Sequence, residues 1–253
     1  MVYKMRFFAL AIIFMSLTNA AFAYDPNKQD PDVPQEQKPQ EWSISGHVDV
    51  VSDYEFRGIS QSDESAALQA SVVGAHDSGG YIGVWGSNVD FNDGDEASVL
   101  IDPFLGFKNE FNGLTYDIGA IYYHYPGADS DLDYDFAEAW VGIGKTIGDF
   151  SGSLYTYYSP DYFGGSGDSV YFKLNGDYNF TDSWSVRGET GYITIDDNSS
   201  FFEDYAHWHI GVHYMLDEKS EFFVRYNDTD LDDPQECVDI CDERVIFGAS
   251  RKF

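Results

Sequence analysis

From Trp42 onward the chain alternates apolar and polar residues with a period of two, in segments of about ten residues, and no helical periodicity competes with it. In the first segment Trp42, Ile44, Gly46, Val48 and Val50 share one face, and Ser43, Ser45, His47 and Asp49 share the other. A later one sets Val170, Phe172, Leu174 and Tyr178 against Tyr171, Lys173, Asn175 and Asp177. The pattern predicts twelve strands, near 42–54, 66–76, 80–91, 97–109, 113–125, 134–147, 150–159, 168–179, 183–195, 205–216, 220–227 and 243–253. The phase of the third and sixth is ambiguous.

The connections sort into two kinds. Odd-numbered ones are long and acidic, beginning with residues 52–65 and ending with the stretch 227–243. Even-numbered ones are short, as in His76–Gly80 and Thr146–Asp149. Strict alternation describes an up-and-down meander decorated at one end, and an even strand count returns both termini to the plain end. That is the plan of an all-β transmembrane antiparallel barrel, with short periplasmic turns and long outer loops. A soluble barrel would alternate too, but three features favour the membrane. The polar faces carry mid-strand charges that a packed soluble core excludes: Asp49, Lys173, Arg187, Glu189 and Arg225. The apolar faces end in aromatic residues, namely Trp42, Tyr54, Tyr178, Phe180, Trp184 and Tyr192. The chain also stops on Phe253, at the end of a strand.

The N-terminus reads differently. A basic start, an apolar run from Phe7 to Leu17 and the small-x-small site Ala21-Phe22-Ala23 predict a signal peptide over 1–23. Residues 24–41, with Pro26, Pro31, Pro34 and Pro39 among polar residues, read as an extended spacer, leaving 42–253 for the barrel. Removing Lys4 and Arg6 would take the formal charge from −30 to −32. So acidic a surface offers no basic stripe for nucleic acid. Mean hydropathy of −0.35 excludes a bundle of membrane-spanning helices, while 19 Tyr, 20 Phe and 24 Gly suit strands and turns.

Three stretches carry a family resemblance. Val51–Ser62, Gly80–Phe91 and Tyr116–Gly127 resemble the TorF family of porins, the Gcw_chp domain of bacterial outer-membrane proteins. The resemblance implies an outer-membrane barrel with pore function and brings no catalytic residues and no cofactor. The Cys237/Cys241 pair departs from the family's pattern, as does Arg251, where C-terminal assembly signals prefer an apolar or aromatic residue.

With polar faces inward, Asp49, Asp102, Asp117 and Glu138 fall on strands one, four, five and six, and Lys173, Arg187, Arg225 and Arg244 on strands eight, nine, eleven and twelve. The two sets would either set up a transverse field at a constriction or pair and plug a narrow lumen. His207, His209 and His213 share one face of the tenth strand, where they form a hydrated wall or share a zinc, nickel or copper ion. Cys237 and Cys241 are expected to close a local disulfide. Alternating carboxylates at Asp129, Asp131, Asp133 and Asp135 fail the calcium-loop pattern at Tyr134 and Trp140, and read as a solvated acidic loop.

No Gly-x-Ser-x-Gly elbow or phosphate-binding glycine loop points to an enzyme. The functional expectation is therefore a porin-like channel for small polar or cationic solutes; the alternative is a closed barrel acting through its acidic loops. Expected partners are outer-membrane lipids, lipopolysaccharide and, through Phe253, the barrel assembly machinery. Arg57, backed by Gly58 in the first outer loop, is expected to fold that loop inward onto lumen carboxylates; the alternative is an exposed rim arginine.

Overall fold

The structure, a computed structural model, describes residues 41–91, 97–196, 204–231 and 239–253. The signal peptide and all of the spacer but Glu41 lie outside the described residues. Among the described residues fourteen strands occur in chain order: β1 (Trp42–Val51), β2 (Glu55–Phe56), β3 (Ile59–Ser60), β4 (Ala67–His76), β5 (Gly80–Asn88), β6 (Val99–Phe111), β7 (Leu114–Tyr123), β8 (Phe136–Ile147), β9 (Phe150–Ser159), β10 (Ser169–Asn179), β11 (Trp184–Ile195), β12 (Tyr205–Met215), β13 (Ser220–Thr229) and β14 (Arg244–Lys252). Twelve of them form a closed antiparallel barrel, sealed where β1 meets β14 with His47 opposite Lys252 and Val51 opposite Gly248. The remaining two, β2 and β3, pair only with each other.

The twelve expected strands are present, most of them with ends shifted by a few residues. The largest changes are at β1, which stops at Val51 rather than 54, and at β5, which stops at Asn88 rather than 91. Short turns at 77–79, 112–113, 148–149, 180–183 and 216–219 share one end of the barrel with both strand termini. The turn Asn112-Gly113 has positive φ at both residues (53° and 71°), the mirror-image geometry that matches strand twist. The long connections gather at the opposite, loop end.

The alternation resolves into two surfaces. Outward side chains such as Ile44, Val50, Leu105, Ile118, Leu174 and Phe247 are exposed, an apolar belt of the kind hydrocarbon covers. Inward positions hold the charges together with many aromatic rings. Two close approaches show how the rings fit: Trp140 lies against Gly119 on the neighbouring strand, and Tyr155 against Gly142. Any Cβ at either glycine would collide with the facing ring. Trp42, Tyr178, Phe180 and Trp184 sit exposed on the outer face as the sequence predicts, and Tyr192 is half-buried. Tyr54 does not belong to that group. Because β1 ends at Val51, the chain turns inward, and Tyr54 is buried with its ring 5.3 Å from that of Trp85.

Candidate functional site

The site is the loop-side half of the lumen, and the segment that fills it is the first long connection. Residues 53–62 do not stand at the rim; they enter the barrel around the small hairpin β2–β3, and Asp63–Ala66 return exposed. Its turn is Arg57-Gly58, with φ of 54° and 83°, the sign pattern of a type I′ turn. Glycine suits the second position, whereas arginine at the first adopts a conformation that side-chain-bearing residues seldom take. The hairpin is held at its base by Ser60 and Ser62, which donate to Asp53 at 2.6 and 3.0 Å. The Gly58 amide donates to Glu55. Backbone bonds tie it to two other long connections, Ser60 N–H to Ile240 O (2.9 Å) and Asp90 N–H to Gln61 O (2.8 Å).

Charges on the hairpin meet opposite charges on the wall. Arg57 is 1 % exposed, and its Nη2 donates to both oxygens of Glu138 on β8, at 2.7 and 2.6 Å. Tyr123 donates to the same carboxylate at 3.1 Å. Facing the other way, Glu55 accepts from Arg225 on β13 at 3.1 Å and lies 3.7 Å from His207 on β12. Asp53 accepts from Arg244 on β14 at 2.9 Å. The hairpin is thus a charged strut, with its cation on the acidic wall and its carboxylates on the basic one.

The sequence reading placed those walls face to face. In the structure the hairpin stands between them, and most of the remaining wall charges are met locally. Asp117 accepts from Tyr81 (2.6 Å), Trp140 (3.2 Å) and Tyr155 (3.2 Å). Arg187 donates to Asp177 at 2.8 Å and to both oxygens of Glu221 at 2.8 and 2.7 Å. Lys173 is buried, with Nζ 5.4 and 5.3 Å from the ring centres of Tyr155 and Tyr157. Asp49 stands apart from the other acids, since β1 adjoins β14, and pairs with His47 at 3.2 Å. Asp102 is fully buried, and neither of its oxygens accepts a hydrogen bond among the described residues.

The three histidines do not converge on one point. His207 faces Glu55, His209 faces Glu189 at 3.9 Å, and His213 contacts Glu221 at 3.0 Å. Same-face neighbours on a strand are about 7 Å apart at their backbones, so each ring meets a different carboxylate. Among the described residues no group of three or more His, Cys, Asp or Glu side chains is arranged to hold a metal ion. Cys241 is buried and disulfide-bonded, while its expected partner Cys237 lies outside the described residues.

Two further features went unread in the sequence. On the turn side of the hairpin is a cavity of about 190 Å³, lined among others by Asp49, Asp177, Arg187, His213 and Arg225. On the loop side Phe91, Tyr125, Tyr134 and Phe163 pack ring to ring, Tyr134 and Phe163 stacking at 4.5 Å. The acidic third loop has its own tie. Burial alone would raise the Asp135 carboxyl, but donation from the Tyr125 amide, His124 and Tyr122 outweighs it and holds the group below the usual carboxylate range. Asp129 accepts from the Asp131 amide at the start of a short 3₁₀ turn, Ser130–Leu132.

Comparison with known proteins places this architecture. A family model described as "Bacterial protein of unknown function (Gcw_chp)" matches residues 36–253. The chain belongs to the Gcw_chp family. No curated protein sequence matches this Gcw_chp chain. Among solved structures it is similar to the KdgM porin in complex with disordered oligogalacturonate, at 10% identity and a TM-score of 0.55, covering 83% of this chain and 98% of that one. It is also similar to the NanC porin, at 9% identity and 0.56, covering 83% and 100%. At such identities the likeness carries the fold: a closed twelve-strand antiparallel barrel of the kind those porins have.

Proposed function

We propose that this Gcw_chp protein is a porin-like channel of a Gram-negative outer membrane, closed in the loop-side half of its lumen by its own hairpin. It would pass small polar or cationic solutes by diffusion when the hairpin withdraws. The supporting observation is the chemistry of the closure. A barrel built only for stability would fill its lumen with apolar side chains, since buried ion pairs stabilise little once desolvation is counted. Here the filling is a short, separately paired hairpin joined to the wall by three ion-paired contacts, above a hydrated-size cavity lined with charges. Such an element can leave without unpairing any barrel strand.

The cation preference rests on the formal charge of −30 and on the acidic long connections, which raise cation concentration at the mouth. The same reading takes in export by a cleaved signal peptide, assembly through Phe253, lipopolysaccharide contact at the loops, and kinship with the TorF porins. Liposome swelling tests it: a barrel with residues 54–61 replaced by a short Gly-Ser linker should admit small amines and neutral amino acids faster than organic anions of equal size. Swelling no faster than protein-free vesicles would contradict it. The second reading, a closed barrel acting through its outer loops, is favoured by the water-inaccessible Arg57, and that null result is the one it expects.

A further inference from the structure

We propose that the pocket now occupied by the Arg57 guanidinium is a binding station for planar organic cations of the guanidinium and amidinium class. The protein's own arginine occupies it in the closed state. The station as a step on a solute path rests on the channel reading above; the binding itself does not.

The argument begins with what surrounds the guanidinium. Its carbon lies 3.4 Å from the ring centre of Tyr171, 5.3 Å from that of Tyr162 and 6.0 Å from that of Tyr157. Glu138 closes the remaining side with both oxygens, steadied by Tyr123. None of these residues belongs to the hairpin, so the aromatic walls and the carboxylate remain when it leaves. A carboxylate framed by ring faces is a site for a flat, weakly hydrated cation, which stacks and pairs at once. A compact ammonium ion loses more hydration there and gains no stacking.

The fit of Arg57 itself is incomplete. Only Nη2 bonds the carboxylate, while Nε and Nη1 are buried and have no hydrogen-bond acceptor among the described residues. The tether to a tight turn at positive φ fixes that approach. An untethered guanidinium could present two nitrogens edge-on and make the two parallel bonds that planar matching allows. Charge points the same way. With Arg57 gone, Glu138 is left as a buried carboxylate, and Lys173, the other buried cation nearby, is already placed against Tyr155 and Tyr157. The vacancy calls for a cation.

The test uses Arg57→Asn in the full-length refolded protein. Asparagine suits the first position of a type I′ turn, so the hairpin keeps its shape while the pocket is emptied. Thermal unfolding is followed with methylguanidinium chloride, against sodium chloride at matched ionic strength and against urea. Methylguanidinium should raise the unfolding temperature of Arg57→Asn and leave the wild type, whose pocket is filled, unshifted. In Arg57→Asn/Glu138→Gln the binding should weaken about tenfold or more, as neutralising one side of a buried charge pair does. If Arg57→Asn refolds only poorly, the refolding yield becomes the readout, and methylguanidinium should restore it. Equal responses of the single and double variants, or none in either, would overturn the proposal. Bilayer current is recorded separately on the barrel with residues 54–61 replaced by a Gly-Ser linker. A silent replacement barrel beside a methylguanidinium-stabilised Arg57→Asn keeps the station and removes the channel; a conducting replacement barrel beside an Arg57→Asn indifferent to methylguanidinium does the reverse.

Discussion

Arg57 concentrates the structure's unusual choices: positive φ, near-complete burial, and a carboxylate partner 81 residues away. Strained conformations persist where the surroundings over-determine them, and here an ion pair and three tyrosine faces do so. Removing one partner leaves the other charge buried alone, which costs about 3–5 kcal/mol where it has been measured. Glu138→Gln and Arg57→Asn should therefore both expose the hairpin to proteinase K in folded barrels, and the double variant should be no more susceptible than the worse single one. Additive susceptibilities would show that the two residues act separately. Asp135 gives a second expectation, with a definite sign. Its folded pKa lies below the ordinary carboxylate value, so its stabilisation is present above that value and is lost only as pH falls through the depressed one. The third loop should resist proteolysis down to pH 4 and loosen below it, and Asp135→Asn should remove this dependence. Loosening of the wild type already at pH 5 to 6 would contradict the assignment. At this scale the sequence was informative in part. It singled out Arg57 and the lumen carboxylates as a class, but pairing Arg57 with Glu138 rather than Asp102 or Asp117 requires the hairpin's path. Tyr171 was placed on the polar face but given no role, and Tyr157 went unnoticed, because a tyrosine on an inward face looks like any other barrel filler; Tyr162 lies in a connection with no period to read.

The strands were the most legible elements, for a physical reason. A two-residue period under a hydrocarbon–water contrast leaves each position one acceptable face, and a one-residue slip would invert them all. The hairpin was harder. Two-residue strands have no period to read, and Glu55-Phe56 and Ile59-Ser60 look like loop between acidic residues. The early end of β1 followed from the same blind spot, because Tyr54 continues the apolar alternation on paper while the chain has already turned inward. Within the barrel wall, the ring-on-glycine contacts bear on strand pairing. Gly119→Val would place side-chain atoms inside the Trp140 ring and against the Leu105 carbonyl. Overpacking of this kind costs about 1–3 kcal/mol. The variant should lose heat-modifiable migration on gels at a lower temperature than the wild type, and Gly119→Val/Trp140→Ala should recover part of the difference. No recovery would mean the contact with Trp140 is not what limits the site.

At the scale of the molecule, the barrel and its filling are separable. Twelve strands hydrogen-bond to one another in a closed ring and owe nothing to β2–β3, while the hairpin draws on the lumen only through side chains and a few backbone bonds near the loop end. The segregation of acidic and basic residues along the chain then has a use: it builds two walls that a zwitterionic strut can bridge. The salt response should be modest, because desolvated pairs are screened far less than surface ones. The most direct measurement is single-channel current in planar bilayers for the wild type and for the variant with residues 54–61 replaced by a short Gly-Ser linker. The wild type should be silent or open only in brief events, and the shortened variant should conduct steadily with a reversal potential on the cation-selective side. A folded, inserted variant that remains as silent as the wild type would contradict the claim that this barrel is a channel closed by its own hairpin.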